Sequence, residues 1–154
     1  MIEIERKFLV KFPEKAIAQA HKSFPIFQGY ISDDPARTVR LRISNKQGFI
    51  TIKGPSSTDG TTRQEWEKQI DLTEAGALKT LCLPGTIQKI RYLVSFGSHQ
   101  FEVDVFEGVL KGLVLAEVEL EHHHEPVVTP PWIGKEVTGD KRYYNSYLAK
   151  HGMP

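Results

Sequence analysis

Acidic and basic side chains recur in pairs, two residues apart, along most of this 154-residue sequence. The first ten residues show the arrangement, with Glu3, Glu5 and Lys7 on one parity and Ile4 and Phe8 on the other. Because successive side chains of a β-strand point to opposite faces, this segment has one charged face and one apolar face. Alone, it is typical of an exposed antiparallel strand. Its repetition in later segments requires a further explanation.

Seven segments share this arrangement. Their charged faces are Glu3/Glu5/Lys7, Arg40/Arg42, Lys53, Glu65/Glu67, Lys89/Arg91, Glu102/Asp104 and Glu117/Glu119. Side chains at i and i+2 lie roughly 7 Å apart on a strand, and like charges at that distance repel by roughly 2 kcal/mol at an effective dielectric constant of about 20. A sheet face that serves only solubility, held by cross-strand ion pairs, would mix charged and neutral polar residues. The repeated pairs therefore favour a functional charged cavity.

The two kinds of charge suit different parts of one ligand. Carboxylates gathered on neighbouring strands form an all-oxygen site, which suits a hard divalent cation such as Mg²⁺ or Mn²⁺. Arginine and lysine side chains that face the same space suit several phosphate groups. The sequence has no glycine-rich phosphate loop of the Walker type, so side chains would have to bind the phosphates. A metal-bridged polyphosphate satisfies both sets of charges.

The elements that must position these residues are short strands. With the segment around Gln28 and Tyr30 there are eight of them, and the turn signals between them predict an antiparallel sheet that closes into a barrel in an α+β fold. The charged parity would line the interior and the apolar parity would face outward under the helices. We predict helices over residues 13–23, over residues 73–83 with Thr73 as N-cap, and at the C-terminus, and a loop over residues 54–62.

Composition favours a single soluble domain over residues 1–154. Hydrophobic content is 40%, charged content is 25% and net charge is +1, so no overall field favours nucleic acid or a membrane surface. The single cysteine, Cys82, fits a reducing compartment, and the absence of a leader or an apolar span predicts a cytoplasmic protein. Apolar side chains left uncovered on the strands would favour a homodimer. The run His122–His124 lacks the spacing of a structural metal site.

The ordered set of motifs resembles the CYTH, or triphosphate tunnel metalloenzyme, family. Its hallmark is an N-terminal Glu-x-Glu-x-Lys strand. The matching segments are Glu3-x-Glu5-x-Lys7, Gln28-Gly29-Tyr30, Arg40-x-Arg42, Thr51-x-Lys53, Arg63-x-Glu65-x-Glu67, Lys89-x-Arg91, Glu102-x-Asp104, Glu117-x-Glu119 and Asp140-Lys141-Arg142-Tyr143. The resemblance covers nearly the whole chain. It implies an eight-stranded antiparallel tunnel that binds a triphosphate and a divalent metal.

The resemblance also implies roles for individual residues. It implies that the metal ligands are Glu3, Glu5, Asp104, Glu117 and Glu119. It implies that the triphosphate is bound by Lys7, Arg40, Arg42, Lys53, Arg91 and Lys141, with Lys89 as a further candidate. Three more acidic residues belong to the same interior: Glu65, Glu67 and Glu102. If Lys141 begins the terminal helix, a phosphate there would relieve the unfavourable position of its charge at the helix N-terminus.

Two routes to the attacking water stay open. In related triphosphatases, residues that match Tyr30 and Lys53 are implicated in activating water, and a lysine can act as a base if burial or neighbouring cations lower its pKa. Alternatively, a water on a metal held by the acidic residues, Glu5 among them, is the nucleophile. In either case electrostatics and positioning would supply most of the stabilisation of the transition state.

The resemblance, which is to compact bacterial members of the family, implies a metal-dependent hydrolase of phosphoanhydride bonds with inorganic tripolyphosphate as substrate. A class IV-type adenylate cyclase and a thiamine triphosphatase are alternatives within the same family. A non-catalytic polyphosphate or nucleotide sensor is a further alternative, although anion binding alone needs no acidic cluster. No pocket for an organic ring is evident; Trp66, Trp132 and Tyr144 would serve only if they reached the tunnel mouth, and Trp66 has the apolar parity.

Overall fold

The computed structural model describes residues 1–154, which form nine strands and three α-helices. The strands are β1 (Ile2–Val10), β2 (Lys22–Ser32), β3 (Thr38–Ser44), β4 (Gln47–Ser56), β5 (Thr62–Ile70), β6 (Ile87–Phe96), β7 (His99–Phe106), β8 (Val114–Glu119) and β9 (Ile133–Glu136). The helices are α1 (Pro13–Ala18), α2 (Leu72–Lys79) and α3 (Asn145–His151), with 3-10 turns at Gly108–Leu110 and Lys141–Tyr143. No helix has the length and apolar character needed to cross a membrane.

Eight of the strands form a closed antiparallel barrel, as predicted. Their order is β5-β4-β3-β2-β6-β7-β8-β1, and pairing of β1 with β5 closes the ring. This closure aligns Glu3 with Arg63. The ninth strand, β9, pairs with β1 near Phe8 and Val10, beyond the stretch that β5 covers. Strand β9 was not predicted, because its four residues, Ile-Gly-Lys-Glu, show no alternation.

The predicted outward orientation of the apolar parity is confirmed on one side of the barrel. Phe8, Phe101 and Val118 belong to a buried cluster on the outer wall, beneath α1 and the connector that follows β8. Trp132 of that connector is fully buried and meets Phe101 edge to face, with ring centroids 5.7 Å apart. Burial of this layer stabilises the wall that carries the charged parity on its other face.

A second buried cluster corrects the prediction that the interior is polar throughout. Leu9, Ile87, Phe106 and Leu115 have the same parity as the charged residues of their strands, yet they pack together with Leu148 of α3. They therefore fill one end of the barrel interior with apolar side chains. Helix α3 covers this apolar end. The charged residues lie between the apolar end and the opposite end of the barrel, which is acidic.

Helix boundaries differ from the predictions for identifiable reasons. Helix α1 ends at Ala18 because the following residues pair with β6: the backbone N–H of His21 donates to Leu93 and Lys22 aligns with Leu93. Helix α2 is capped by Asp71, whose carboxylate accepts from the N–H of Glu74 at 2.8 Å, so the predicted Thr73 cap was wrong. Strand β4 extends two residues beyond Gly54, into the segment predicted as a loop.

Candidate active site

Two adjoining cavities occupy the charged part of the barrel interior. Both are lined by Glu5, Arg40, Arg42, Lys53 and Glu117. The first, of about 60 Å³, adds Lys7, Tyr30, Thr38, Ser56, Gly60, Arg63, Tyr144, Asn145 and Ser146. The second, of about 120 Å³, adds Glu3, Glu65, Glu67, Arg91, Glu102 and Glu119. The interior is therefore basic towards α3 and acidic towards the opposite end.

Two arginines of β3 face this space with incomplete pairing. Nε of Arg40 is the one buried side-chain nitrogen or oxygen in the structure without a hydrogen-bond partner. The guanidinium of Arg42 donates only to the neutral amide oxygen of Gln28, at 3.2 and 3.4 Å. Burial and the nearby charge of Arg40 and Arg91 lower the pKa of Arg42 to about 9. An anion in the cavity would satisfy both groups.

Two lysines flank the arginines. Nζ of Lys7 donates to the carbonyl of Tyr143 at 3.1 Å and lies 3.9 Å from Glu117. Nζ of Lys53 donates to both oxygens of Glu3, at 2.8 and 3.1 Å, and lies 3.5 Å from Glu65. Burial opposes the charge of Lys7, but Glu117 and Glu5 overcome it and raise its pKa. Both lysines thus connect the basic side of the interior to the acidic side.

The carboxyl groups are crowded enough to alter one another's ionisation. Burial, followed by the charges of Glu117 and Glu3, raises the pKa of Glu5 well above its ordinary value. Burial would also raise the pKa of Glu117, but Lys7 and a hydrogen bond from Glu5 bring it well below its ordinary value. Burial and a hydrogen bond with Glu3 raise the pKa of Glu65 to about 7. This region therefore has more negative charge than its lysines neutralise.

The chemistry of these donors fits a divalent cation, although the ligands are not preassembled. Glu3, Glu5, Glu117 and Glu119 all line the acidic cavity and offer only oxygen donors. No three His, Cys, Asp or Glu side chains are arranged as a metal-binding group, and His122–His124 form none either. Metal binding at the four glutamates requires side-chain rearrangement, and relief of their repulsion favours it.

Asp104 and Lys89 lie behind the cavity wall, not on it. Both side chains are about 1% exposed and form an ion pair of 2.7 Å. Asp104 also accepts two hydrogen bonds from Arg91, at 2.7 and 2.8 Å. Burial would raise the pKa of Asp104, but Arg91 and Lys89 lower it to about 2. The oxygens of Asp104 are thus engaged by cations, and of these three residues only Arg91 lines a cavity.

The structure places Lys141 outside the cavity. It is exposed in the 3-10 turn Lys141–Tyr143 and borders two surface pockets that share Tyr144 with the cavity. Helix α3 begins at Asn145 and not at Lys141, so the condition for the helix-dipole argument about Lys141 is not met. A role for Lys141 in phosphate binding stays a prediction that depends on the resemblance alone.

Several lining residues were not predicted as site residues. Arg63 carried a signal, because it has the parity of Glu65 and belongs to the same motif. Tyr144 is the aromatic residue at the mouth, where its hydroxyl donates to Ser56 at 3.1 Å. Asn145 had no sequence signal, since only the packing of α3 on the barrel brings it to the interior. Trp66 is half exposed outside, and Trp132 belongs to the outer cluster.

Comparison with known proteins places this chain in a family. The CYTH domain model matches residues 1–145. An inorganic triphosphatase of Acetivibrio thermocellus is 43% identical over 150 residues, which cover 97% of this chain and 94% of the relative. An inorganic triphosphatase of Nitrosomonas europaea is 42% identical over 156 residues, which cover 97% of each chain.

Solved structures agree with the sequence relatives. The inorganic triphosphatase NE1496 superposes with a TM-score of 0.65 at 37% identity, over 96% of this chain and 93% of that chain. HpAC1 from Hippeastrum, described as an adenylyl cyclase candidate with a dominant triphosphatase activity, superposes with a TM-score of 0.61 at 14% identity, over 79% of this chain and 80% of that chain. The second likeness concerns the fold alone.

Proposed function

The chain belongs to the CYTH-domain family, and we propose that it is a divalent-metal-dependent inorganic triphosphatase that converts tripolyphosphate to pyrophosphate and phosphate. Relatives that match nearly its full length are inorganic triphosphatases. Triphosphatases of this family depend on a metal ion. The interior of the barrel has the charges that such a substrate and its metal require.

The observation that carries the proposal is that two groups of side chains in the barrel interior lack partners: arginines without acceptors and carboxyl groups without a counter-charge. These are the two deficits. Arg40 has a buried N–H without an acceptor, and Arg42 has no carboxylate partner. On the acidic side, Glu5 and Glu117 line one cavity, and burial together with the charge of Glu117 raises the pKa of Glu5 well above its ordinary value. A triphosphate supplies acceptors to the arginines, and a divalent cation compensates the carboxylates, so the two together remove both deficits.

The proposed reaction is in-line attack of water on a terminal phosphorus. The P–O bond to the middle phosphate breaks, and pyrophosphate leaves with the electron pair. Lys7, Arg40 and Arg42 hold the phosphate oxygens, so that charge developing on the leaving group meets fixed cations. Arg91, Lys89 and Lys141 are further proposed phosphate-binding residues. Among them Arg91 lines the acidic cavity, whereas Lys89 lies behind the wall and Lys141 outside it.

Tyr30 and Lys53 are proposed to orient the attacking water and to take its proton. Both line the first cavity, on strands β2 and β4. Nζ of Lys53 now contacts Glu3 at 2.8 Å and Glu65 at 3.5 Å, so contact with the attacking water would require it to leave at least one of these carboxylates. Tyr30 lies against Gln28, whose amide donates to its hydroxyl at 3.4 Å.

The proposed metal ligands are Glu3, Glu5, Glu117 and Glu119. A bound Mg²⁺ or Mn²⁺ would supply Lewis-acid stabilisation of phosphate charge and could provide an activated water. Glu65, Glu67 and Glu102 line the same cavity and support the acidic field. Asp104 was a predicted ligand, but we propose instead that it orients Arg91, because both of its oxygens already contact cations.

A substrate panel tests the proposal. Tripolyphosphate, ATP and thiamine triphosphate are incubated separately with the protein and Mg²⁺ or Mn²⁺, and phosphate and cyclic AMP are measured. Phosphate release from tripolyphosphate at the highest kcat/KM is expected, because the first cavity offers no apolar surface beyond its two tyrosines for an organic ring. Cyclic AMP from ATP would replace the proposal with a cyclase, and binding without turnover would replace it with a sensor.

A further inference from the structure

Asn145, at the first turn of α3, is joined to two strands of the barrel through one atom. Its Oδ1 accepts from Nε2 of Gln28 on β2 at 2.9 Å and from Nζ of Lys89 on β6 at 2.9 Å. Gln28 and Lys89 are 0% and 1% exposed, so neither donor exchanges readily with water. Asn145 itself lines the cavity proposed to bind triphosphate.

The donors fix the orientation of both amide groups. Lys89 is held as an ammonium group by its 2.7 Å ion pair with Asp104, and an ammonium group has donors and no acceptor, so Lys89 faces the oxygen of Asn145 and not its NH₂ group. That oxygen in turn requires the NH₂ end of Gln28. The other end of the Gln28 amide, Oε1, then points at Arg42 and accepts from its Nε and one terminal nitrogen, at 3.4 and 3.2 Å.

Arg42 depends on this arrangement because it has no other protein acceptor. It forms no ion pair, and its guanidinium is held only by Gln28. Other charged residues of the interior are held differently: Arg91 pairs with Asp104 and Glu102, and Lys53 pairs with Glu3. A neutral amide holds Arg42 in place without competing for its charge, which leaves that charge available to a phosphate.

We propose that Asn145 is a positioning residue for phosphate binding, which holds the Gln28 amide in the one orientation that presents its oxygen to Arg42. Asn145 acts through Gln28 and does not need to contact the reacting phosphorus. The inference rests on the proposed function in taking tripolyphosphate as the ligand, but the orientation of Arg42 can be measured without turnover.

The first test measures affinity. Metal-free protein is titrated with tripolyphosphate by calorimetry, and Asn145→Ala is expected to weaken binding about tenfold, the cost of one lost hydrogen bond to a charged group. In the steady state the same variant should raise KM about tenfold and change kcat less than about twofold. Asn145→Leu, which keeps most of the volume, should behave alike. His151→Ala, on the exposed end of α3, is the matched control and should leave affinity unchanged.

The second test separates positioning from a merely structural role. In an Arg42→Ala background, Asn145→Ala should change affinity by less than about twofold, because the residue it positions is gone. The Nε–H resonance of Arg42 should shift in Asn145→Ala and in Asn145→Leu. A full affinity loss that persists without Arg42, or an unchanged Arg42 resonance in both folded variants, would overturn the inference. If wild type turns over no tripolyphosphate while the resonance shifts, the proposed function fails and the positioning role stands.

Discussion

The carboxyl groups of Glu5 and Glu117 both line the two adjoining cavities in the interior of the barrel. They extend from the neighbouring strands β1 and β8, where the pairing sets Glu5 beside Glu119 and Lys7 beside Glu117. Burial and the adjacent charges of Glu117 and Glu3 raise the pKa of Glu5 well above its ordinary value. These crowded acids mark the position where a cation is proposed to bind.

Replacing Glu5 by glutamine should separate activity from stability. Glu5→Gln removes a proposed metal ligand. Loss of a residue that only supports a metal ligand lowers activity by up to about 100-fold, so kcat/KM should fall on the order of 100-fold or more. The pKa of Glu5 is higher in the folded state than in the unfolded state, where it is 4.5. Above pH 4.5 the ionisation of Glu5 therefore destabilises the folded state. Glutamine avoids that cost, and the melting temperature of the metal-free protein near pH 7 should equal or exceed that of wild type.

The exposed residue Glu14 supplies the control for this substitution. Glu14→Gln makes the same chemical change on α1, away from the cavity, and should leave both quantities as in wild type. Full activity in Glu5→Gln would remove Glu5 from the metal site.

Arg40→Ala should weaken substrate binding. Its Nε has no protein acceptor, and hydrogen bonds to charged groups contribute about 1.5–3 kcal/mol. The expected rise in the dissociation constant of tripolyphosphate is therefore about 10- to 100-fold. Arg37→Ala removes a nearby charge that is 74% exposed and should have little effect. Equal affinities for the two variants would mean that Arg40 does not contact substrate.

Lys53→Arg should distinguish a base from a cation. Arginine keeps the positive charge and the ion pairs with Glu3 and Glu65, but it cannot be deprotonated in a protein. If Lys53 takes the proton of water, kcat should fall by about 10²- to 10⁴-fold while KM changes little. Lys68→Arg, on the exposed face of β5, is the control. If Lys53→Arg retains the wild-type kcat, Lys53 contributes only its positive charge. That result would favour the metal as the group that activates water.

Asp104→Asn should destabilise the protein in a pH-dependent way. Arg91 and Lys89 lower the folded-state pKa of Asp104 from 3.8 to about 2, despite its burial. Its contribution is therefore complete above pH 3.8 and is lost as the pH falls towards 2. At pH 7 the variant leaves the buried guanidinium of Arg91 without its bidentate carboxylate partner and should lose about 3–5 kcal/mol of unfolding free energy.

Urea denaturation of wild type and Asp104→Asn between pH 7 and pH 2 checks this prediction, and the difference between the two should shrink below pH 3.8. Asp33→Asn breaks a partly exposed ion pair of 3.6 Å with Lys150 and should cost little at any pH. A constant difference between wild type and Asp104→Asn would show that the ionised carboxylate is not what stabilises the fold.

Strand identity and the lumenal face could be predicted because alternation is local. Arg40 and Arg42 were predicted to share one charged strand face, and both lie on β3 (Thr38–Ser44) and line the interior. The depth of each side chain along the barrel axis could not be predicted, because it depends on how strands distant in sequence are staggered. Pairing of β7 with β8 sets Glu102 beside Glu117 but Asp104 beside Leu115, next to the apolar end. Asp104 therefore joins a buried ion pair while Glu102 reaches the cavity.

Residues from the C-terminal segment were the hardest to predict. Asn145 and Tyr144 enter the site because Leu148 of α3 packs on the apolar end of the barrel. The chain also approaches closely at Gly85, where an added Cβ would lie 1.8 Å from the carbonyl oxygen of Ala149. Neither contact has a periodic signature in sequence. Helix α3 was expected, but its position over the interior was not.

Orthophosphate release from tripolyphosphate by protein stripped of metal with a chelator tests the central claim most directly. Release should be absent from the stripped protein and return when excess Mg²⁺ or Mn²⁺ is restored, and in Glu5→Gln with metal it should be lower on the order of 100-fold or more. Equal release by wild type with chelator and with metal, or full release by Glu5→Gln after metal is restored, would contradict a metal-dependent triphosphatase in this barrel.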